Sequence, residues 1–329
     1  MKLPFKVGFS LGTFQSLKNR WFRNLEFRGE QMLLVTGITG HSGRYFLQEL
    51  INNKYEGWIR CVVRETSDTS MLDNSGLNIE KVYGDLNDQE FMNECAKNVD
   101  SIMHIAGIQN SVNVVVAAYL NKVENAVLVH TTGIYSKYKS ASEIYQNIEE
   151  EIKLLIEKNN HRLKIIILRP TMIYGDLCDL NMSKFIKMVD RLRLFPVINR
   201  GRGLIQPVNA RSLGQAYYLV LENLSRATKE EYIISGEKSI RMKEAFELIS
   251  LHLNKKTYFI SVPLTVGVIL AIILKVISVG KIDYVEKVQR MAEDRSFSHE
   301  LARKDFGYNP ITFEEGIGIE VKQYLEKKK

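Results

Sequence analysis

The chain is read as an α/β protein built on a doubly wound parallel sheet with a smaller C-terminal lobe, and three observations support this. Short apolar runs of strand type alternate with amphipathic helical runs through the first half of the sequence. The turn after the first such run holds three glycines, Gly37, Gly40 and Gly43, and opens straight into a helical pattern. At 329 residues the chain is long enough for one large unit with a substantial core plus further elements.

The elements follow in order. Leu33, Leu34 and Val35 form the first strand, and Tyr45, Phe46, Leu47, Leu50 and Ile51 recur at helical spacing behind it. Between them, Gly37 permits the tight turn, Gly40 admits close approach of a ligand, and Gly43 lets the helix pack near the sheet. The helix begins near Ser42, and its free N–H groups and positive dipole end suit a dinucleotide pyrophosphate. Further strands are expected at 58–63, 79–83, 101–107, 126–130 and 164–168, with a short late strand at 232–236. The spacing predicts helices over 142–158, 181–196, 210–223 and 242–253. In the first of these, Ile144, Ile148, Ile152, Leu155 and Ile156 make one apolar stripe, which is core packing.

Five segments carry a family likeness. The run Thr36 to Gly43 is similar to a TGxxGxxG turn, and Gly84-Asp85-Leu86 to a turn whose Asp contacts adenine. His104-Ile105-Ala106-Gly107 is similar to an HxAG segment under the nicotinamide-side ribose, and Leu168 to Gly175 to LRPxxxYG. Gln206-Pro207-Val208 resembles the return of the chain beside the cofactor. Together, from about Met32 to the C-terminus, they resemble the extended and atypical short-chain dehydrogenases, the group that holds the nucleoside-diphosphate-sugar epimerases and dehydratases. The resemblance implies a Rossmann-type fold. It also implies cofactor contacts from Thr36, Gly37, Thr39, Gly40, His41, Ser42, Gly43, Arg44, Arg64, Asp85, Leu86, His104, Ala106, Gly107, Pro170 and Thr171.

Cofactor choice is read at the end of the second strand. Arg64 stands there with Ser67 close by and Arg44 at the glycine turn, where an acidic residue would favour NAD. Guanidinium donors suit a 2′-phosphate, so NADP is expected, with NAD left open.

Redox members of the family use a Ser or Thr after the fifth strand and a YxxxK pair in the next helix, where the Lys lowers the Tyr pKa. Thr131 and Thr132 match the first requirement. For the second, Tyr145 is followed four residues on by Glu149, not Lys, and the literal YxxxK from Tyr135 to Lys139 falls in a polar, loop-like stretch. Two alternatives remain. Either the site has drifted, with Tyr145 or Tyr138 acting beside Lys139, or hydride transfer is lost and the chain is a binding module.

On the substrate side the reading places Asn181, Arg200, Arg202 and Gln206, since bidentate arginines suit a pyrophosphate. The expected domains are a basic N-terminal extension (1–31), a nucleotide domain (32–178 with 204–236) and a substrate lobe (179–203 with 237–329). Met32 is an alternative start. A net charge of +7 suits anionic ligands, and no zinc-type Cys spacing or nucleic-acid-reading motif is present, so neither a metal nor a nucleic-acid partner is expected. Cys61, Cys95 and Cys178 are far apart and odd in number, which points to reduced thiols in a cytoplasmic setting. An uncharged run over 258–274, apolar at 262–274, and the basic aromatic N-terminus point to peripheral contact at the inner face of a membrane. A homodimer is left open.

The expected function is an NAD(P)-dependent epimerase, dehydratase or reductase of a nucleotide-linked or lipid-linked sugar, with cell-surface polysaccharide synthesis as the implied setting. The rivals are a non-catalytic NADP-binding subunit or sensor and a reductase of an apolar, hydroxysteroid-like substrate.

Overall fold

A computed structural model describes residues 31–138, 140–157 and 163–328. β1 (Met32–Thr36), α1 (Gly43–Asn52), β2 (Trp58–Val63), β3 (Ile79–Tyr83), α2 (Gln89–Cys95), β4 (Ser101–His104), α3 (Ser111–Leu120), β5 (Asn125–Val129), α4 (Ser142–Glu157) and β6 (Lys164–Pro170) alternate as the spacing predicts. Next come α5 (Met182–Arg191), β7 (Leu194–Ile198), α6 (Ala210–Glu222), β8 (Glu231–Ile234), α7 (Met242–His252) and β9 (Tyr258–Val262). The described chain closes with α8 (Leu264–Ile277), α9 (Val285–Met291), α10 (Glu300–Phe306) and α11 (Phe313–Lys328).

Seven strands form one parallel sheet in the order β8-β6-β5-β4-β1-β2-β3. The direction of winding reverses between β1 and β4, where Thr36 pairs with His104, and a crevice opens beyond the carboxyl ends of those strands. Both faces of the sheet are covered, which is why its strands read as almost unbroken apolar runs. Phe46, Leu47 and Leu50 of α1 and Leu213, Tyr217 and Val220 of α6 pack on one face. Phe91 and Met92 of α2, Val114 and Ala118 of α3 and Ile152 of α4 pack on the other.

The C-terminal lobe has its own core around Phe195, Phe246, Phe313 and Ile317. Two expectations are corrected here. The helix expected over 181–196 stops at Arg191, and Leu194–Ile198 instead pairs in parallel with Tyr258–Val262, so the uncharged run divides into a strand and a shorter helix. Residues 300–308, expected in the substrate lobe, send Ala302, Phe306 and Tyr308 into the core of the large sheet.

His104 ties the crevice floor together. Its Nε2–H donates to the Gly107 carbonyl at 2.9 Å, so its Nδ1 accepts from the Thr36 hydroxyl at 2.6 Å across the β1–β4 boundary. Burial pushes its pKa down from 6.5 to about 4, so the folded ring is neutral. A pKa lowered by folding gives stability that is complete above the unfolded value and is lost as pH falls toward the folded one. Folding stability should therefore drop by about 3 kcal/mol between pH 6.5 and about 4 on account of this group. Denaturant unfolding across that window measures it. The acid-side slope should be smaller in His104→Asn, and an unchanged slope contradicts the assignment.

Candidate functional site

A cavity of about 870 Å³ lies over the crevice and is bounded by both lobes. At one end stands the glycine turn. Gly37 has φ +75°, and a Cβ there would lie 2.6 Å from the Ala106 amide nitrogen, so β1 and the chain after β4 meet at a separation only glycine allows. A Cβ on Gly43 would lie 2.1 Å from the Gly37 carbonyl, which fixes the first turn of α1 against the loop. Among the described residues the amides of His41 and Ser42 donate no hydrogen bond, and both residues line the cavity. Ser42 precedes α1 without a side-chain cap, so this helix end offers unpaired N–H groups and its positive dipole to the cavity.

Most of the expected cofactor residues come together there. Gly37, Thr39, Gly40, His41, Ser42, Arg64, Asp85, Leu86, Ala106 and Thr171 line the cavity. The others do not, for identifiable reasons. Thr36 and His104 are spent on each other beneath the floor, and Gly107 holds the far side of that ring. Gly43 underpins the turn, and the Pro170 carbonyl accepts from Thr132 at 3.2 Å. Arg44, expected at the 2′-phosphate, turns instead to Asp176 (3.4 Å) and the Cys178 sulfur (3.2 Å). Arg64 remains as the guanidinium at the end of β2.

Catalytic residues divide in the same way. Thr131 and Thr132 line the cavity. Thr131 Oγ1 accepts from Gly133 N at 2.9 Å, which leaves its own proton to donate. Tyr145 is buried among Ile108, Ile134 and Ala141 and is not part of the cavity wall, so the sequence expectation for it is corrected. Lys139 lies outside the described residues, as do residues 1–30 of the basic extension. The phenol that does line the cavity is Tyr135. It donates to Glu231, its ring contacts Phe297 at 5.9 Å between centroids, and the Arg169 guanidinium lies 5.5 Å from its centroid. Burial and the Glu231 carboxylate push its pKa up to about 12.

Beneath this wall, Glu149 stands where the family pattern has lysine, and it is fully engaged. Arg169 Nη1 and Nη2 donate to its two oxygens at 2.6 and 2.7 Å, and His130 Nδ1–H donates at 2.7 Å. Burial opposes ionisation, but these donors outweigh it and hold Glu149 at about 2. Arg169 Nη2 also reaches Glu231 at 2.9 Å, and Ser111 Oγ lies 3.0 Å from His130 Nε2.

At the substrate end, Asn181 and Gln206 line the cavity, whereas Arg200 and Arg202 are exposed outside it. Gln206 is a strut, because its amide donates to Ser235 Oγ and the Gly236 carbonyl and its oxygen accepts from Phe297 N. Besides Arg64, the arginines that line the cavity are Arg290 and Arg295, which the sequence reading passed over. Their Nε atoms are buried without partners among the described residues. Burial and the neighbouring Arg290 push Arg295 down to about 10, so it stays charged at neutral pH. The dense run Arg290 to Arg295, which also holds Glu293 and Asp294, was the available signal.

With this geometry in view, comparison with known proteins places the fold. Residues 34–134 match the family model for GDP-mannose 4,6 dehydratase. A nucleoside-diphosphate-sugar epimerase from Pseudomonas aeruginosa superposes with a TM-score of 0.68 at 13% identity, covering 91% of this chain and 99% of that one. The chain shares the Rossmann-type fold of these proteins. A dTDP-glucose 4,6-dehydratase from Streptomyces venezuelae, solved with NAD and DAU bound, shares this fold with a TM-score of 0.65 at 18% identity, over 90% of this chain and 97% of that one. A curated relative, sterol demethylase protein B from Methylococcus capsulatus, is 36% identical over 73 residues. That stretch is 22% of this chain and spans about a fifth of the relative's length. The Rossmann-type fold, with the glycine turn and the order reversal at one crevice, is what the sequence pattern led us to expect.

Restoring lysine at the dyad position should not restore a dyad. Glu149→Lys sets a cation against buried Arg169 and should cost about 3 kcal/mol or more, whereas Glu149→Gln should cost less. Thermal or denaturant unfolding checks this, and a Glu149→Lys variant as stable as the parent contradicts the buried ion pair.

Proposed function

We propose that this chain binds NAD(P) at the glycine turn and acts as an epimerase, dehydratase or reductase on a nucleotide-linked or lipid-linked sugar beside a membrane surface. The observation that carries the reading is the continuity of one cavity from the amides of His41 and Ser42 to Arg290 and Arg295, where among the described residues those amides and the two buried Nε atoms find no partner, although Arg290 Nη1 lies 3.6 Å from Glu286. Two anion-seeking ends suit two phosphate esters, one of the dinucleotide and one of the substrate. The relatives named above support the choice of substrate class.

The residues fit the dinucleotide on structural grounds. Side chains at Gly37 and Gly43 would collide with backbone and close the cradle, and Arg64 stands where a 2′-phosphate would lie. NADP is therefore our choice between the two nicotinamide cofactors. When bound, the cofactor supplies hydride chemistry. This chain's own residues hold and orient: Thr131 offers a hydroxyl proton at the substrate end, and Arg290 and Arg295 balance the substrate's phosphate charge. Tyr135, kept protonated up to about 12, donates its one O–H to Glu231 and does not act as a base.

A second reading, a nucleotide-binding subunit without turnover, is favoured by one observation: Glu149 occupies the lysine position and is locked to Arg169. Mass spectrometry of nucleotide retained on gentle purification, followed by absorbance of reduced nicotinamide with a panel of nucleotide sugars, separates the two. A redox change, or a sugar converted without one as in a redox-neutral epimerisation or dehydration, supports the enzyme, and retained cofactor with every sugar recovered unaltered supports the subunit.

Arg64→Ala should weaken NADPH binding about tenfold and leave NADH binding nearly unchanged, as titration calorimetry would report; equal losses contradict the NADP assignment. Arg295→Met should weaken a nucleotide sugar by about tenfold or more, read as KM or Kd. Activity should show no limb from phenol ionisation between pH about 7 and about 10, and a limb in that range that Tyr135→Phe abolishes would contradict the protonated Tyr135.

A further inference from the structure

We propose that α8 is a monotopic foot that docks on an anionic bilayer and seats the Arg290–Arg295 end of the cavity at the headgroup layer. The inference deepens the sugar-substrate reading and rests on it only for that last clause; the docking stands on surface chemistry alone.

Within the 14 residues of α8, only Gly267 and Ala271 are buried, one turn apart on the inner face. Ile269 and Leu270 are 56% and 57% exposed, and Val276 and Ile277 are 71% and 74% exposed. The exposed apolar positions run round the helix from Ile272 through Ile269 and Ile277 to Leu274, an arc of about 200° at about 100° per residue. A helix packing on one protein partner presents a stripe of roughly 100°, so an arc twice as wide suits a solvent that surrounds the helix, as acyl chains do. Leu194 and Ile260, 59% and 50% exposed on the β7–β9 ribbon, extend the patch. Among the described residues no helix is long and apolar enough to cross a membrane, and Pro263 bounds α8 at its start, so the helix lies in the interface instead of spanning it.

Charge names the occupant. Between residues 255 and 287 there are five lysines and two acidic residues; Lys255 pairs with Asp190 and Lys275 with Asp283, which leaves Lys256, Lys281 and Lys287 as the cations of the rim. Asp283 is neutralised by Lys275 at 2.7 Å, and Glu286 accepts from Ser140 N and Oγ at 3.2 and 2.9 Å. Lys256 and Lys287 lie 5.5 and 5.0 Å over the rings of Tyr258 and Tyr284, an arrangement of aromatic body and cationic tip that suits a headgroup layer. An apolar face rimmed by lysine and tyrosine is complementary to anionic lipid, not to a second copy of the same cationic rim.

The foot is joined to the cavity. A Cβ on Gly267 would lie 3.1 Å from Val288 of α9, and Arg290, two residues further on, lines the cavity. Glu293, just past α9, holds the segment after Thr132 by accepting from Ser136 Oγ at 2.8 Å and Lys137 N at 2.9 Å. Docking α8 therefore fixes the height of the helix that carries the substrate-end arginine.

The test is flotation of the purified full chain with vesicles of phosphatidylcholine alone or with added phosphatidylglycerol, at low and high salt. The wild type should float with the anionic vesicles, and Lys256→Gln/Lys281→Gln should lower that binding about fivefold or more. Ile269→Glu/Ile273→Glu should abolish flotation with NAD(P) affinity unchanged, which shows that the variant is folded. A wild type that stays at the bottom with both vesicles overturns the proposal, as does a glutamate variant that floats like the wild type. So does a wild-type dimer, seen by light scattering, that the glutamates dissociate without any lipid binding. Nucleotide titration is read separately, so a wild type that binds nucleotide and does not float counts against the foot and not against the site.

Discussion

The ligand-facing part of the molecule depends on how closely β1 and the chain leaving β4 approach at Gly37 and Ala106. At that separation no side chain fits, the first turn of α1 is drawn against the loop by Gly43, and the amides of His41 and Ser42 are left without acceptors among the described residues. A buried or half-buried amide without a partner costs free energy unless a ligand or water supplies one, so the turn holds in reserve a favourable interaction with an anion. The reversal of strand order puts this turn at the mouth of a crevice and not on a closed surface.

The polar web under the cavity wall explains how the fold tolerates the missing lysine. In the family pattern a cation lies in α4 beside the reactive phenol. Here the cation has moved to β6 as Arg169, the helix supplies the counter-charge as Glu149, and His130 and Glu231 complete the pairing. Both carboxylates take hydrogen bonds from Arg169, which makes the buried guanidinium tolerable, and Glu149 is held ionised. Tyr135, at the near end of this web, is tied to Glu231 and kept protonated.

Much of this was legible in the sequence, and the parts that were not share a cause. The sheet strands were readable because burial on both faces leaves runs such as Trp58 to Val63 almost wholly apolar, and the glycine turn because its spacing has one steric explanation. Residues 194–196 were read as the end of a helix because Leu194, Phe195 and Pro196 are all apolar and show no alternation, and the partner strand lies more than sixty residues away. The site was harder. Tyr145 and Tyr135 are both tyrosines at plausible spacing, and only packing shows that one is enclosed by Ile108 and Ile134 while the other faces the cavity. Arg200 and Arg202 look like Arg290 and Arg295 in sequence, and only the fold of the lobe decides which pair lines the cavity.

The most direct test of the account is calorimetric titration of NADPH and NADH into the wild type and Gly40→Val. Gly40 is exposed beside the unpaired amides, and a Cβ there would meet the Gly37 carbonyl at 3.0 Å, so valine should lie across the amides at a small cost confined to the turn. The account predicts one-to-one binding to the wild type and a loss of about tenfold or more in a variant that still unfolds in one cooperative transition within a few degrees of the wild type. A wild type that binds neither nucleotide, or a Gly40→Val variant that binds as well as its parent, would contradict it.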